Sequence, residues 1–408
     1  MGSYKSIKTA KSRGEKMTEK LFYENPYLEE WESEVIDIVE DDDKFLVVLD
    51  KTAFYPEGGG QPSDKGYIED IEVTYVFEEN DIIYHVTTKK PLNKKVICKL
   101  EFARRFNYMQ QHSGEHLISA VLYNLFNTTN DGFHMGEDYV TIDNTISNIT
   151  DEIVFKIENT ANQYIYENIP IVDYVIQNKE LHKMNLRKEC KVDKDIRIVE
   201  IENLDKIACC GIHVRNTGEI GLIKIIKTEK YKGMTRIYFR CGKKAFEDFQ
   251  SKHSIVTDLT RHYSMLEDEI VDKAKSDSSE IKSLLKHIKD LKEILYQYTV
   301  EDILKNHHSK LIEVSFVDKN FEDVQIINRR ILEKINTFNI LISEKDNKVI
   351  LSKSLDDNLH CGKLFKEHLS KYNGKGGGSK NQAQGAFEGR EDMLGFISFI
   401  KEFIANHK

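Results

Sequence analysis

Two histidines one helical turn apart are the residues whose types and spacing most directly suggest chemistry. They are His112 and His116 in the stretch QQHSGEHLISAVL, with Glu115 between them. Residues at positions i and i+4 lie on one face of a helix, so two imidazoles placed in this way can bind the same metal ion. The alternative is packing, because apolar Leu117 and Ile118 follow and a helix can bury two hydrogen-bonded histidines at the edge of a core. The stretch alone leaves both interpretations open.

A second group of metal-ligand residue types occurs downstream, in IACCGIHV. Cys209 and His213 are separated by a glycine-containing turn, and the flanking runs IRIVEI and IGLIKIIK predict strands. With His112 and His116 they supply the four nitrogen and sulfur ligands that tetrahedral zinc prefers. Cys210 competes with Cys209 for the position of the sulfur ligand, because it also shortly precedes His213.

The same helix matches the inverted zinc-peptidase pattern H-x-x-E-H as well. In that interpretation Glu115 is the general base, and Glu189 or Glu200 is the third ligand from further downstream. This alternative leaves Cys209 and His213 without a role, so we rank it second.

The stretch TAFYPEGGGQPSDKG contains another set of candidate binding residues. Gly58, Gly59 and Gly60 permit backbone conformations and close approaches that other residues prevent, and Gln61 beside them can hydrogen-bond a ligand. The alternative is a glycine-rich turn after Pro56 with a purely structural role.

Basic residues are concentrated in two parts of a chain whose formal net charge is -9. Residues 222–246 carry eight Lys or Arg against one Glu, which is 8 minus 1 or +7, with tyrosines among them. Lys230 and Lys232 are therefore candidates for contacts with nucleic acid. In the second part, Lys375 and Lys380 accompany a glycine run, Gly376–Gly378, whose amides can bind a phosphate. The alternatives are a solvated strand face for the first part and a flexible loop for the second.

Hydrophobic periodicity predicts the elements that position these residues. Alternating runs such as KFLVVLD, IEVTYVF and IIYHVTT predict a β-barrel-like domain over residues 17–95. Residues 96–248 are mixed, which predicts an α+β zinc-containing domain. Its histidine helix is followed by a loop containing GFHMGEDYVTIDN and by a helix near residues 151–168.

The remaining part of the chain predicts a helical arm and a further domain. Over residues 249–304 apolar residues step by three and four from Ile281 to Tyr298, and an earlier seam runs from Leu259 to Ile270. The polar KSDSSE between the seams is either a hairpin turn or a solvated part of a helix. Residues 305–408 combine the strand-like runs KLIEVSFV, FNILISE and NKVILSKS with helices, which predicts a C-terminal α/β domain. The predicted fold class is therefore α+β and multidomain.

Composition excludes several classes of protein. The 408 residues, 40% hydrophobic and 31% charged, are typical of a globular protein of several domains. Six cysteines in so long a chain do not form a disulfide framework, and no apolar run approaches the roughly 20 residues of a membrane span. We therefore predict a cytoplasmic protein with no membrane partner. The basic stretch before Met17 predicts a vector-derived or disordered leader over residues 1–16.

Taken in order, these motifs resemble those of the freestanding alanyl-tRNA editing proteins of the AlaX type, long form. That family is similar to the editing and C-terminal domains of alanyl-tRNA synthetase. The resemblance begins near residue 17 and rests on FYPEGGGQPSDKG, HSGEH, GFHMGEDYVTID, CCGIHVRNTGEIG, YKGMTRIYFRCGKKA and GKGGGSKNQAQG. It implies that zinc is bound by His112, His116, Cys209 and His213. The family usually has a Cys-Gly-Gly-Thr-His turn, whereas Cys210 and Ile212 replace a glycine and the threonine here.

The resemblance also implies a reaction and a partner. The reaction is hydrolysis in trans of the ester that joins a wrong amino acid, serine or glycine, to alanine tRNA, without aminoacylation activity. Glu115, Gln61 and Ser113 are the catalytic candidates, and Thr52 joins Gln61 and Ser113 as a candidate contact to the serine hydroxyl. Gly58–Gly60 would form a pocket wall.

The predicted assembly is a homodimer, formed through the helical arm or the C-terminal domain. An intramolecular helical hairpin is the alternative for the arm. A tRNA-binding module with a structural zinc is the third interpretation of the function.

Overall fold

The computed structural model of the chain describes residues 17–190, 196–307, 309–355 and 358–406. The chain forms two compact units, one ending at His262 and the other beginning at Tyr263. The predicted α+β multidomain class is confirmed. The leader predicted over residues 1–16 lies outside the described residues.

The first unit begins with a closed barrel. Its elements are β1 (Glu19–Lys20), α1 (Leu21–Glu24), β2 (Glu30–Asp41), β3 (Lys44–Leu49), β4 (Lys51–Thr52), β5 (Gly66–Ile68), β6 (Ile71–Glu79), β7 (Ile82–Thr87) and β8 (Lys95–Leu100). The barrel closes in the order β2-β3-β7-β6-β5-β8, while β1 pairs with β4 in parallel. Alternation in β8, where every second residue is buried, directs Val96, Cys98 and Leu100 into the interior.

The rest of the first unit surrounds one long helix. Its elements are α2 (Phe102–Phe126), β9 (Asn130–Met135), β10 (Val140–Asn144), α3 (Asp151–Glu167), β11 (Ile171–Ile176), β12 (Ile196–Ile201), β13 (Asp205–Ala208), β14 (Ile223–Tyr231), β15 (Met234–Cys241) and α4 (Gly242–Tyr263). One sheet has the order β14-β15-β10-β9, and a smaller sheet has the order β11-β12-β13. Thr150 caps α3, since its hydroxyl accepts a hydrogen bond from the backbone N–H of Ile153.

The predicted loop containing GFHMGEDYVTIDN was wrong. This segment forms the hairpin β9–β10, because Val140 and Ile142 of β10 are buried and β10 pairs antiparallel with β15. The strand pairing with β15, about a hundred residues away in sequence, is what the local pattern did not reveal.

One hydrophobic core runs through the barrel and the region around α2. It includes Trp31 and Phe54 of the barrel region, Leu117 and Val121 of α2, and Phe239 of β15. The two regions predicted as separate domains, 17–95 and 96–248, therefore share a core within one unit.

The second unit is a five-stranded sheet covered by helices. Its elements are α5 (Ile270–Asn306), β16 (Leu311–Phe316), α6 (Phe321–Lys334), β17 (Phe338–Ser343), β18 (Lys348–Lys353), α7 (Cys361–His368), β19 (Gly374–Gly378), β20 (Gln382–Phe387) and α8 (Arg390–Asn406). The strand order is β16-β17-β18-β20-β19, with β16 and β17 parallel and the other pairs antiparallel. Because both faces bury apolar residues, there are two cores, one containing Ile327 of α6 and the other Phe396 of α8.

The structure shows the conformation of two segments for which the sequence left alternatives open, KSDSSE and the C-terminal glycine run. KSDSSE, residues 275–280, lies inside α5, so the hairpin-turn alternative was wrong and the solvated-helix alternative is confirmed. The helices instead separate after Tyr263, ahead of a 3-10 turn at Glu267–Glu269. The glycine run at the end of the chain forms β19 rather than a flexible loop.

None of the described helices is long and apolar enough to cross a membrane.

Candidate metal centre

Helix α2 carries His112 and His116 on a deeply buried stretch. Arg105, whose side chain is fully buried, anchors the start of the helix by an ion pair with Asp64 and by donating a hydrogen bond to the carbonyl oxygen of Pro26. A Cβ atom at Gly114 would lie 2.2 Å from the Sγ atom of Cys241. The glycine in HSGEH thus allows the histidine helix to pass close against β15.

A turn after β13 brings the other two predicted ligands to this helix. The Sγ atom of Cys209 lies 3.5 Å from the Nε2 atoms of both His112 and His213. Cys210 is exposed, whereas Cys209 joins the three histidines. Of the two cysteines between which the sequence left the choice open, it is therefore Cys209 that the structure groups with the three histidines.

These four side chains form a group that can hold a metal ion. One nitrogen or sulfur atom from each of His112, His116, Cys209 and His213 lies within 4.8 Å of the others. The four ligands of a tetrahedral metal are about 3.4–3.7 Å apart, a spacing that both pairs with the sulfur atom match.

The surroundings favour the ligand forms of the imidazoles. Burial lowers the pKa of His112 to about 3 and lowers the pKa of His116 and His213 well below its usual range. Neutral imidazoles are the forms that bind metals. Burial raises the pKa of the Cys209 thiol to about 12, so a thiolate at this position needs a cation beside it. A bound metal would meet that need.

Neighbouring polar groups orient two of the histidines. The Nδ1–H group of His112 donates to Oε1 of Gln61 at 3.0 Å, and Nδ1 of His213 lies 3.1 Å from Oγ of Ser113. The Ser113 hydroxyl also accepts a hydrogen bond from the backbone N–H of Val214. Since each Nδ1 atom is occupied, Nε2 of both rings is directed to the centre of the group. Of the described polar atoms, Nδ1 of His116 is buried without a hydrogen-bond partner.

The glycine-rich loop lies beside the group. Gly59 and Gly60 have φ angles of 58° and 82°, and a Cβ atom at Gly60 would lie 2.6 Å from the ring of Phe133. That ring in turn stacks on the ring of His112, with a centroid distance of 5.4 Å. Gly58 pairs with Gln61 in an isolated bridge, so a tight turn places Gln61 at the metal group.

Gln61 is almost fully buried, and one of its two polar side-chain atoms makes no hydrogen bond to the described residues. Its Oε1 atom accepts hydrogen bonds from Nδ1–H of His112 and from the backbone N–H of Ile212. Its Nε2 atom has no hydrogen-bond partner among the described residues. The side chain therefore holds the metal group and still offers a donor.

Glu115 is buried beside the metal group. Its Oε1 atom accepts hydrogen bonds from Ser119 and Asn130, while its Oε2 atom lies 3.8 Å from Nε2 of His116. Burial raises the pKa of this carboxyl. The inverted peptidase pattern gains no support from this position, because Glu200 binds Tyr174 and Lys206 and the metal group does not include Glu189.

Thr52 ends strand β4 in the barrel region, and its hydroxyl has partners there. Its hydroxyl is 2.9 Å from Nε2 of the fully buried His85 and accepts a hydrogen bond from the backbone N–H of Phe54. Both partners belong to the barrel region, so the geometry gives Thr52 a structural partner rather than a free hydroxyl.

Much of the basic charge counted along residues 222–246 is offset by acids. Five of the eight cations form ion pairs: Lys224 with Glu158, Lys227 with Glu229, Arg236 with Asp143, Arg240 with Asp248, and Lys243 with Glu247. Lys230 and Lys232 are exposed at the β14–β15 turn, and Nζ of Lys232 lies 5.1 Å from the centroid of the Tyr231 ring. Lys375 and Lys380 are exposed in the second unit.

The sequence analysis did not identify three residues that contact the turn carrying Cys209. Arg197, Tyr23 and Tyr55 contact the Cys209–Gly211 turn through its carbonyl oxygens. An arginine within the apolar run IRIVEI was the available signal, because a cation in a half-buried strand usually has a specific partner.

Models of three families match successive parts of the chain. The model described as tRNA synthetases class II (A) matches residues 4–103. Threonyl and Alanyl tRNA synthetase second additional domain matches residues 196–238, and the DHHA1 domain matches residues 309–406.

Individual relatives extend over most of the sequence. Alanyl-tRNA editing protein AlaX-L of Pyrococcus horikoshii is 29% identical over 403 residues, which cover 94% of this chain and 98% of that protein. The predicted resemblance to the alanyl-tRNA editing proteins is confirmed. Alanyl-tRNA editing protein Aarsd1-B of Xenopus laevis is 33% identical over 53% of this chain and 54% of its own length.

The chain also matches part of a larger class of enzymes. Alanine–tRNA ligase of Methanobrevibacter smithii is 30% identical over 92% of this chain but over only 44% of the ligase. The chain thus spans nearly the full length of an alanyl-tRNA editing protein and less than half of the ligase.

Proposed function

We propose that the protein is a zinc-dependent hydrolase that removes serine or glycine from mischarged alanine tRNA, acting in trans and without aminoacylation activity. The observation that carries the proposal is the convergence of three buried histidines and Cys209 beside the glycine-rich loop. The similarity to proteins named for alanyl-tRNA editing supports the substrate class.

Each residue in and around the metal group has its own role in the proposed reaction. His112, His116, Cys209 and His213 would hold zinc, which when bound would supply Lewis-acid polarisation to an ester or a water. Gln61 donates from its spare Nε2–H to the ester or to the amino acid, while its Oε1 atom keeps His112 in position. Glu115 accepts a proton from the attacking water through Oε2, the oxygen that makes none of its hydrogen bonds to Ser119 and Asn130. Ser113 positions His213.

Discrimination of serine from alanine requires a group that serine satisfies and alanine leaves unpaired. A site that hydrogen-bonds a substrate hydroxyl rejects the analogue that lacks it far more strongly than an apolar pocket rejects an added group. Gln61 fits this role better than Thr52, because the Thr52 hydroxyl already contacts His85. Gly58, Gly59 and Gly60 let the loop approach the amino acid closely.

Contacts to the tRNA body are assigned to exposed lysines. Lys230 and Lys232 in the first unit and Lys375 and Lys380 in the second are the candidates, since the neighbouring cations are largely paired with acids. Charge-neutralising contacts of this kind make binding depend strongly on salt.

The proposed assembly is a homodimer formed through α5. From Ile281 to Tyr298 the apolar seam of this helix is exposed, with exposed fractions of 51–66%. A second copy presents the same seam at the same heptad spacing, which is the partner that such a stripe fits.

The test is deacylation of Ser-tRNA(Ala), Gly-tRNA(Ala) and Ala-tRNA(Ala) by the full chain, with and without a chelator. We expect release of serine, sparing of alanine, and loss of release with the chelator that added zinc restores. Tight zinc binding without release from any of the three would support a tRNA-binding module with a structural zinc instead.

A further inference from the structure

In the turn that carries Cys209, three consecutive backbone carbonyl oxygens contact side chains from other parts of the first unit. Nη1 of Arg197 donates to the carbonyl oxygen of Cys209 at 3.0 Å and to that of Gly211 at 2.6 Å. The hydroxyl of Tyr23 donates to the carbonyl oxygen of Cys210 at 2.8 Å. The Tyr55 hydroxyl lies 3.3 Å from the same oxygen. Each carbonyl of the turn therefore meets a side chain, and one arginine spans the first and the last.

Arg197 is itself fixed by two further contacts. Its Nε–H group donates to the carboxylate of Asp173 at 2.9 Å, and its guanidinium lies 4.7 Å from the centroid of the Tyr23 ring. The side chain is 9% exposed. A planar guanidinium with this many partners is confined to one orientation, so it can transmit that orientation to the turn.

The position of this turn determines the geometry of the metal group. Regular pairing of β13 with β12 ends at Ala208, and the backbone N–H of Cys209 still donates to the carbonyl oxygen of Arg197. Beyond that point, the turn packs so closely on His112 that a Cβ atom at Gly211 would lie 2.0 Å from the ring. Because Cys209 and His213 lie on either side of this glycine, a shift of the turn would move two of the four ligands relative to the helix.

We propose that Arg197 is a positioning residue that presets the Cys209–Gly211 turn for metal binding, with Tyr23 as its partner. The inference rests on the metal centre proposed above. Arg197 lies on β12, a strand that contributes none of the four proposed metal ligands. Through this side chain, β12 would fix the Cys209–Gly211 turn, which follows the neighbouring strand β13.

The test measures zinc affinity of the full chain by competition with a chromogenic chelator. Arg197→Met should weaken zinc binding roughly 10- to 100-fold, the usual effect of removing a group that orients a metal ligand. Arg197→Lys keeps the charge, but its single nitrogen cannot reproduce the planar guanidinium that binds Asp173 through Nε and the two carbonyl oxygens through Nη1, so it should restore only part of the affinity. Tyr23→Phe keeps the ring beneath Arg197 and removes the hydroxyl, and we expect a smaller loss.

Two controls separate positioning from general stability. Asp173→Asn removes the same ion pair but leaves Arg197 able to reach the carbonyl oxygens, so near-normal zinc affinity is expected. Arg236→Met removes a half-buried arginine paired with Asp143 on a different sheet, and zinc affinity should again be kept. Far-UV circular dichroism of each metal-free variant checks that the fold is retained.

Distinct results would overturn the inference. Zinc affinity of Arg197→Met within twofold of the wild-type value would do so, as would an equal loss in Arg236→Met. If Arg197→Met does not fold, wild-type affinity in both Arg197→Lys and Tyr23→Phe would have the same meaning. A wild-type chain that binds no zinc would instead remove the proposed function, so the two failures are distinguishable.

Discussion

At the scale of single residues, neighbouring cysteines differ completely in their surroundings. Cys209 points to the imidazoles of His112 and His213, while Cys210 is exposed and its carbonyl oxygen is held by Tyr23. A sequence with two adjacent cysteines cannot distinguish these roles, because the direction of each side chain depends on the conformation of the turn.

This difference gives a direct prediction. Cys209→Ser should weaken zinc binding by at least 100-fold, because a hydroxyl replaces the one anionic ligand, and hydrolysis should be lost with the metal. Cys210→Ser is the matched control and should leave the zinc content of the purified protein unchanged. Zinc analysis of both variants makes the comparison, and equal zinc loss in the two would contradict the assignment of Cys209.

The residues that the sequence could reveal are those with a spacing rule behind them. His112 and His116 follow the helical period, and Cys209 and His213 flank a tight turn. Arg197 and Thr52 follow no such rule, because what they do depends on partners from other strands. The hydroxyl of Thr52 contacts His85, which is brought near by the pairing of β7 with β3, the strand just before Thr52.

At the scale of elements, the glycine run of β19 shows why glycines can be required by packing. A Cβ atom at Gly376 would lie 2.0 Å from the carbonyl oxygen of Gln384, whereas at Gly377 nothing lies within 4 Å. The glycines of this strand therefore include positions that need glycine and one, Gly377, that does not.

A pair of substitutions in β19 tests this division. Gly376→Ala should destabilise the second unit by about 1–3 kcal/mol, since the strand must move away from β20. Gly377→Ala should be neutral or stabilising by up to about 1 kcal/mol, because alanine restricts the unfolded chain. Differential scanning calorimetry measures both, and equal destabilisation by the two variants would count against the close approach at Gly376.

The barrel contains a buried histidine that links its stability to pH. Burial lowers the pKa of His85 from an ordinary value of 6.5 to about 4, and its Nδ1 atom lies 2.9 Å from the carbonyl oxygen of Val47. As the pH falls below 6.5, the unfolded chain binds a proton that the folded barrel does not bind. The free energy of unfolding is therefore fully maintained above pH 6.5 and decreases from there down to about pH 4.

Between pH 7 and pH 5 this histidine should cost the barrel about 2 kcal/mol. His85→Gln, which has no such titration, should reduce the decrease by that amount. Trp31 is the only tryptophan, and its ring lies 4.9 Å from that of Phe54, so its fluorescence in urea titrations reports on the barrel. Parallel pH profiles for the wild type and the variant would show that His85 titrates equally in both states.

Periodicity predicted most strands and helices at this scale, including α3 and the strands β16, β17 and β18. It did not reveal the hairpin β9–β10, where His134 and Asp143 interrupt the apolar pattern. Those residues lie on the face of the sheet that Arg236 also occupies, so their polarity follows from the tertiary arrangement.

At the scale of the whole molecule, the longest described helix, α5, carries an apolar seam that the rest of its own unit leaves exposed. The seam residues Ile281, Leu284, Ile288, Leu291, Leu295 and Tyr298 are all more than half exposed. The alternative is an intramolecular helical hairpin, which would bury the same seam. A heptad pattern predicts that a helix will pair but does not specify which copy of the chain provides the partner.

We therefore expect the full chain to be a dimer in solution. Multi-angle light scattering should give about twice the chain mass of 47.5 kDa. The double substitution Leu284→Asp and Leu291→Asp should yield monomers, because each new carboxylate would have to be buried in the helix pair. Lys289→Asp, next to the seam in sequence but outside it, is the control that should stay dimeric.

The activity of the monomeric variant separates assembly from catalysis. The metal group lies entirely within the first unit, so the monomer should keep its zinc and its hydrolysis at saturating tRNA. If dimerisation places a second set of lysines on the same tRNA, KM should rise while kcat is kept. A wild-type chain that is monomeric at high concentration, or a seam variant that remains dimeric, would contradict dimerisation through α5.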